Sequence, residues 1–232
     1  MKKLFLIAAA LVASTVAAQA EVILANPCSR VSFVSDLRNP LFVGCQVEDK
    51  IFTNFANVDA TTQIPDNWQV TLDLDTDTGD HIVNFARGAT GDALAVTTSP
   101  WGISYDVQVD TTYPGSLHNY ITAVGVSLDL AGVVKAGTLT KTITNLDPNK
   151  GGIGDLLGVA SVISPNGPNV SPAILAYPSQ YIHVVEVITS TSGGLQSFTD
   201  AYAQSYIPEP ATYGMIGLGL AALGLISRRK KA

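Results

Sequence analysis

The chain has 232 residues, with 13 Lys and Arg against 19 Asp and Glu, and a net charge of −6. Residues 21–207 hold 7 of the basic and 18 of the acidic residues, so this segment alone carries −11. A surface this acidic argues against nucleic acid and against anionic lipid as partners. The segment's 187 residues are the size of a single domain and long enough to bury a substantial core.

The first 20 residues have the three parts of a secretory signal peptide. Lys2 and Lys3 precede an apolar run over residues 4–16, and Ala18 and Ala20 form an A-x-A cleavage site. We therefore expect signal peptidase to cut after Ala20 and to leave a mature, exported chain.

The two cysteines, Cys28 and Cys45, both lie in the exported part. An oxidising compartment favours a disulfide between them, which would contribute about 3 kcal/mol. Free thiols and metal ligation are the alternatives, but a two-cysteine zinc site needs further ligands that no nearby residue supplies. We predict the disulfide.

Four predicted strands follow in the middle and second half of the chain. Residues 103–109, 124–130 and 138–145 alternate at period two, which predicts strands with one buried face. Residues 182–188 are apolar on both faces, which predicts a central strand. Turn residues separate these runs, so the predicted fold class is all-β: an antiparallel β-sandwich, with a jelly roll or barrel as the alternative.

The only candidates for short helices are residues 155–164 and 195–206. Residues 151–172 are rich in Gly, Pro, Ser and Asn, which predicts a long surface loop inside the domain.

A group of acids provides a weak candidate for a calcium site. Its members are Asp73, Asp75, Asp77 and Asp80. The spacing differs from an EF-hand, because Gly79 comes one residue late and Asn84 stands where a bidentate Glu is needed. An ordinary strand with a charged outer face is the favoured explanation.

No recognisable catalytic motif occurs. The three histidines, His81, His118 and His183, are far apart in sequence, and His183 and Glu186 fall on opposite faces of a strand. The sequence also lacks the Gly-x-Ser-x-Gly of a nucleophile elbow. Paired carboxylates of a glycosidase would be set by the fold, so an exported hydrolase is the third hypothesis. We predict neither an enzyme nor a cofactor.

Aromatic residues support a second hypothesis, a displayed glycan-binding or calcium-binding module. Those considered are Trp68, Trp101, Tyr105, Tyr113, Tyr120, Tyr177 and Tyr181. Sugar rings stack their apolar faces on aromatic rings, so an exposed row of them on one sheet face would favour glycan binding.

The last 25 residues have three parts in a fixed order. They are Pro208, Glu209 and Pro210, an apolar run over residues 211–227, and the basic residues Arg228, Arg229, Lys230 and Lys231. As a helix, the apolar run spans about 25 Å, slightly less than a hydrocarbon core of roughly 30 Å. The basic end should stay in the cytoplasm. We predict a marginal transmembrane helix that holds the chain in the inner membrane before processing.

This arrangement resembles the PEP-CTERM sorting signal of Gram-negative bacteria. Residues 44–55 are also similar to a pattern near the N-terminus of such proteins. The resemblance implies recognition by exosortase, a membrane-embedded transpeptidase, a cut near the Pro-Glu-Pro motif, and delivery to the cell surface or beyond. Proteins of this kind accompany exopolysaccharide gene clusters, which implies exopolysaccharide as a partner. The leading hypothesis is therefore an exported structural or adhesive protein of a biofilm matrix.

Overall fold

The computed structural model describes residues 26–29, 31–58, 64–87, 94–95, 100–149, 151–164 and 170–207. The predicted signal peptide (1–20) and the predicted tail (208–232), for which the sequence predicts a transmembrane helix, lie outside the described residues. Within the described ranges, no helix is long and apolar enough to cross a membrane.

The described chain is built almost entirely from strands. In chain order the elements are β1 (Asn26–Pro27), β2 (Ser32–Phe33), α1 (Val34–Leu37), β3 (Cys45–Val47), β4 (Lys50–Asn57), β5 (Gln69–Leu74), β6 (His81–Ala86), β7 (Leu94–Ala95), β8 (Trp101–Val109), β9 (Asn119–Asn145), β10 (Leu156–Ser164), β11 (Val170–Ser179) and β12 (Tyr181–Tyr206). Every described pairing is antiparallel except that of β1 with β3.

Two long strands, β9 and β12, pair with each other over most of their length and belong to both layers of the fold. The first half of β12 lies between β8 and the second half of β9, and β4, β3, β1 and β10 extend this first sheet. The second half of β12 lies between β6 and the first half of β9, and β5, β2 and β11 extend the second sheet. Register shifts interrupt the pairing between Ser190 and Ser197, where β12 passes from one sheet to the other. The predicted all-β sandwich is confirmed.

The core lies between the two sheets. Phe85 of β6 and Phe198 of β12 are stacked with ring centroids 4.6 Å apart, and Tyr105 of β8 packs against Phe85 from the opposite sheet. The predicted central strand is confirmed, because residues 182–188 have β8 on one side and β9 on the other. Its inward face is fully buried, but Val185 on the outward face is only half-buried.

Two sequence predictions are wrong. The candidate helices at 155–164 and 195–206 are β10 and the second half of β12, and the predicted loop at 151–172 contains β10 and the start of β11. Both misassigned segments pair along β9. This pairing, rather than the weak local sequence pattern, determines that they are strands. In β12 the buried Asp200 breaks the apolar alternation that would have marked the strand.

The predicted disulfide between Cys28 and Cys45 is confirmed. It ties the start of the described chain to β3, and Cys45 is buried against the core. The turns after β3, β5, β8 and β9 all lie at one end of the sandwich, which we call the exit end because the described chain leaves there at Ile207. The Ile207 backbone N–H donates to the His118 carbonyl at 2.8 Å.

Candidate functional site

Five polar side chains lie in the middle of the core, where apolar residues are expected. They are Tyr105, Lys141, Glu186, Asp200 and Tyr202, and we call them the core polar cluster; all five are fully buried. Lys141 and Glu186 are directly paired across β9 and β12 in the first sheet. Asp200 is on the part of β12 that belongs to the second sheet. The cluster therefore bridges the two sheets.

The charged atoms of this cluster are close together. Lys141 Nζ lies 3.0 Å from Glu186 Oε1 and also contacts Asp200 Oδ1. The Tyr105 hydroxyl donates to Asp200 Oδ2 at 2.5 Å and lies 2.5 Å from the Tyr202 hydroxyl. Among the described residues, Lys141 Nζ and both Glu186 oxygens have no partner in hydrogen-bond geometry. These charged atoms are therefore close together without being aligned for hydrogen bonds.

The surroundings of Glu186 shift its pKa. Burial, followed by the negative charge of Asp200, raises the pKa of Glu186 well above its ordinary value. Burial and the charge of Asp200 likewise raise the pKa values of Tyr105 and Tyr202. The protonated form of Glu186 is therefore favoured, beside a Lys141 amine that contacts both carboxyl groups.

A second buried cluster closes the exit end. Lys50 Nζ lies 2.8 Å from Asp49 Oδ1 and hydrogen bonds to Gln204, while Asn119 Nδ2 donates to Asp49 Oδ2 at 3.0 Å. His81 Nε2 lies 3.4 Å from Asp49 Oδ1. Burial and then the Lys50 charge lower the pKa of His81 to about 4, against the opposing effect of Asp49. His81 is thus neutral at pH 7, and the cluster joins β4, β6, β9 and β12.

A third group lies on the outward face of the first sheet. The Asp106 carboxylate lies 2.6 Å from His183 Nδ1 and accepts hydrogen bonds from Asn54 Nδ2 at 2.6 Å and the Tyr181 hydroxyl at 3.3 Å. The His183 side chain is 33% exposed, so one part of the ring faces solvent. In the part of the chain that the structure describes, no serine, threonine or cysteine is hydrogen bonded to this histidine. Within the described ranges, the pair is therefore not part of a hydrogen-bonded triad with a nucleophile.

The described residues line open clefts on the surface, of which two are considered for binding. One, of about 450 Å³ at the exit end, is lined by Pro27, Gln46, Glu48, Asp110, Thr112, Tyr113 and Pro114, and we call it the exit-end cleft. Gln46 Nε2 donates to Asp110 Oδ2 at 2.9 Å, and Tyr113 is 39% exposed. The other, of about 610 Å³, includes Arg38, whose guanidinium is already bound to Asn57 and to the Ile64 carbonyl. Of the two, the exit-end cleft is the one with an exposed aromatic ring, which lies beside the hydrogen-bonded Gln46 and Asp110 side chains.

The calcium candidate is not assembled. Asp73 is on β5, whereas Asp75, Asp77 and Asp80 lie in the turn before β6. Asp75 Oδ1 accepts the Asp77 backbone N–H at 2.9 Å, so this carboxylate shapes the turn. No group of three or more His, Cys, Asp or Glu within the described ranges could hold a metal ion.

The aromatic and histidine candidates are scattered. Trp68, Trp101 and Tyr105 are core residues and offer no stacking surface. Tyr120, Tyr177 and Tyr181 are half-buried, which leaves Tyr113 as the most exposed of the seven. The three histidines do not converge: His81 is buried at the exit end, His118 stacks edge-on against Tyr206, and His183 is on the outward sheet face.

The predicted PEP-CTERM sorting motif is confirmed by comparison with known families. The family model of the PEP-CTERM protein-sorting motif matches residues 207–231. This motif implies processing by exosortase and a sorted, cell-surface protein. No curated protein matches the chain.

Solved structures with some likeness to this chain include carbohydrate-binding modules. The C-terminal domain of a chitobiase from Bacteroides fragilis is 10% identical with a TM-score of 0.34, over 71% of this chain and 99% of that one. TmCBM27, a carbohydrate-binding module described for mannan recognition, is 8% identical with a TM-score of 0.37, over 77% and 97%. CBM32-3 from a Clostridium perfringens family 31 glycoside hydrolase is 12% identical with a TM-score of 0.29, over 64% and 90%. Likeness at this level carries no ligand over to this chain.

Proposed function

We propose that this protein is an exported matrix protein of a Gram-negative bacterium, trimmed by exosortase and retained with exopolysaccharide in a structural or adhesive role. The observation that carries the proposal is the position of the sorting motif. It begins at Ile207, immediately after β12 has ended at Tyr206. The motif is therefore attached to the folded sandwich without an intervening linker.

Two features of the domain support export. The disulfide between Cys28 and Cys45 is stable only outside the reducing cytoplasm. The charge of −11 over residues 21–207 keeps the domain soluble and away from anionic lipid once the tail is removed.

The test is intact mass and fractionation of the protein from its native host, comparing wild type, Glu209→Ala and Asp77→Ala. Asp77 is an exposed acid of the exported domain and serves as the matched control. Wild type and Asp77→Ala should start at Glu21, lack residues 211–232 and accumulate outside the cell. Glu209→Ala should keep its tail in the inner membrane. If all three chains keep the tail and fractionate alike, the motif is only a linker before a permanent anchor, and the proposal fails.

The domain acts, in this proposal, without catalysis. The core polar cluster is sealed from solvent, so no external substrate reaches it, and the Asp106–His183 pair lacks a hydrogen-bonded nucleophile among the described residues. Incubation of the purified domain with exopolysaccharide from the host should release no new reducing ends. Release above the level of a heat-denatured control would contradict a purely structural role.

The exit-end cleft favours a second candidate function, the binding of a glycan. A partly exposed ring at Tyr113 beside the Gln46 amide and the Asp110 carboxylate offers one stacking face and polar partners for sugar hydroxyls. Tyr113→Ala should then abolish retardation of the domain in gels containing host exopolysaccharide. Tyr206→Ala, which removes another exposed tyrosine at the same end, should leave it unchanged. Equal retardation of both variants and wild type would exclude this site.

A further inference from the structure

Burial of the core polar cluster costs free energy of folding, and the sorting function does not explain why the cluster is present. Burying a lysine and two carboxyl groups is expensive, and replacing such groups with apolar residues is often neutral or stabilising. Here the three groups meet in the middle of the core, with Lys141 Nζ and both Glu186 oxygens outside hydrogen-bond geometry among the described residues. An amine and a carboxyl group in contact, with a second carboxyl group beside them, are the components of an amide-forming reaction.

We propose that Lys141 and Asp200 become joined by an intramolecular isopeptide bond, with Glu186 as the acid–base group that promotes its formation. The three residues satisfy the geometric requirement. Lys141 Nζ contacts Asp200 Oδ1 and lies 3.0 Å from Glu186 Oε1. Such fixed proximity replaces a bimolecular encounter with a unimolecular step.

The reaction balances without any co-reactant. The Lys141 ammonium first passes a proton to the Asp200 carboxylate, which removes both charges from a dry site. The neutral Nζ then attacks Asp200 Cγ, forming the C–N bond. Glu186 donates its proton to the departing Oδ1 and takes one from the nitrogen, so that one water leaves and Glu186 ends protonated as it began. No group is oxidised or reduced.

The remaining members of the cluster suit these steps. The Tyr105 hydroxyl donates to Asp200 Oδ2 at 2.5 Å, so it would stabilise the negative charge that develops on this oxygen during attack. Lys141 Nζ lies 5.0 Å from the centroid of the Tyr202 ring, which keeps bulk water from the amine. Burial and the Asp200 charge raise the pKa of Glu186, which favours the protonated form that acts as the donor.

The bond would link the two sheets covalently. Lys141 belongs to the first sheet and Asp200 to the second, so the link crosses the core rather than running along a strand ladder. The disulfide between Cys28 and Cys45, by contrast, joins β3 to the chain just after β1 and does not cross the core. A cross-link through the core would hold the sandwich closed under denaturant or mechanical load, which is useful to a protein displayed outside the cell. The inference does not depend on the sorting tail.

The first test is the intact mass of the purified, reduced wild-type chain. The expected mass is lower than that of its sequence by one water molecule. Tryptic digestion should give a branched peptide that joins the segments containing residues 141 and 200, because trypsin cannot cleave after an acylated lysine. A wild-type chain at full mass, cleaved normally after Lys141, would overturn the proposal.

Three variants separate the chemistry from mere packing. Glu186→Gln and Lys141→Met should both retain the full mass. Asp200→Asn should condense with loss of ammonia instead of water, and its cross-linked mass should equal that of the cross-linked wild type. If Glu186→Gln still forms the bond, Glu186 is not the promoting group and that part of the proposal is wrong. If one of these variants does not fold, the wild-type mass and the branched peptide still decide the question.

Discussion

Lys141 and Glu186 face each other across β9 and β12 with Nζ and Oε1 3.0 Å apart, and neither side chain reaches solvent. This pair, with Asp200, places ionisable groups where the sandwich would otherwise be apolar. Each of the three groups is therefore tolerated only because the others are present.

Removing the cation should be costly. In Lys141→Met the two carboxyl groups lose their only lysine partner in the cluster, and breaking a buried pair in this way costs about 3–5 kcal/mol. Arg87→Met is the matched control, because Arg87 is exposed and such a change should alter the free energy of unfolding by less than about 0.5 kcal/mol. Urea unfolding followed by tryptophan fluorescence measures both. Equal midpoints for the two variants would mean that the core network contributes nothing.

The stability of the domain should depend on pH through His81. Its pKa is about 4 in the folded chain, against an ordinary value of 6.5, so between these pH values the unfolded chain binds more protons than the folded one. The free energy of unfolding should therefore fall as the pH falls from 6.5 to 4, by up to about 3 kcal/mol from this residue.

The measurement is urea unfolding at a series of pH values for wild type and His81→Gln. The difference between the two curves should change across that window and be flat above pH 7. Thr140→Ala, on the outward face of the first sheet, should follow the wild-type slope. A His81→Gln curve parallel to wild type from pH 4 to 7 would show that the pKa of His81 is the same in the folded and the unfolded chain, which contradicts this prediction.

The sequence predicted the parts of the fold in which alternation is regular. The runs at 103–109 and 124–130 are strands with apolar residues at every second position, and in 138–145 the same alternation is carried by Thr on one face. The second half of β12 was missed because Asp200 occupies a buried position between Phe198 and Tyr202, which destroys that signal. Pairing with β9, rather than local preference, determines its conformation.

The core polar cluster was only partly visible in the sequence. Lys141 is in phase with the buried Leu139 and Ile143, and Glu186 is in phase with Val184 and Ile188. A charged residue in the buried phase of a strand is the signal that could have marked both. Asp200 joins Lys141 and Glu186 because β12 crosses from the first sheet to the second. The spacing of residues in the sequence does not predict this crossing.

The disulfide should contribute measurably to stability. Cys28 and Cys45 are separated by 17 positions, and a loop of this size corresponds to about 3 kcal/mol. The double variant Cys28→Ser with Cys45→Ser should lose about that amount in urea unfolding without reductant. With reductant, wild type and variant should unfold at similar urea concentrations. A persistent gap under reducing conditions would assign the loss to the serine side chains rather than to the cross-link.

Gly102 should tolerate no side chain. It lies on β8 opposite Val187, and an added Cβ would meet Val58 Cγ2 at 2.6 Å and the Glu186 carbonyl oxygen at 3.0 Å. Since the second contact is backbone of the central strand, Gly102→Ala must displace β8 or β12, at a cost of about 1–3 kcal/mol.

Gly125, on β9, is the matched control: its nearest neighbour to an added Cβ is Ala201 Cβ at 3.7 Å, an ordinary contact. Gly125→Ala should therefore leave the free energy of unfolding unchanged or raise it by about 0.4–1 kcal/mol, through the reduced freedom of the unfolded chain. Compared by urea unfolding, Gly102→Ala should lose stability and Gly125→Ala should not. Equal changes for the two variants would contradict the close approach of β8 and β12 at Gly102.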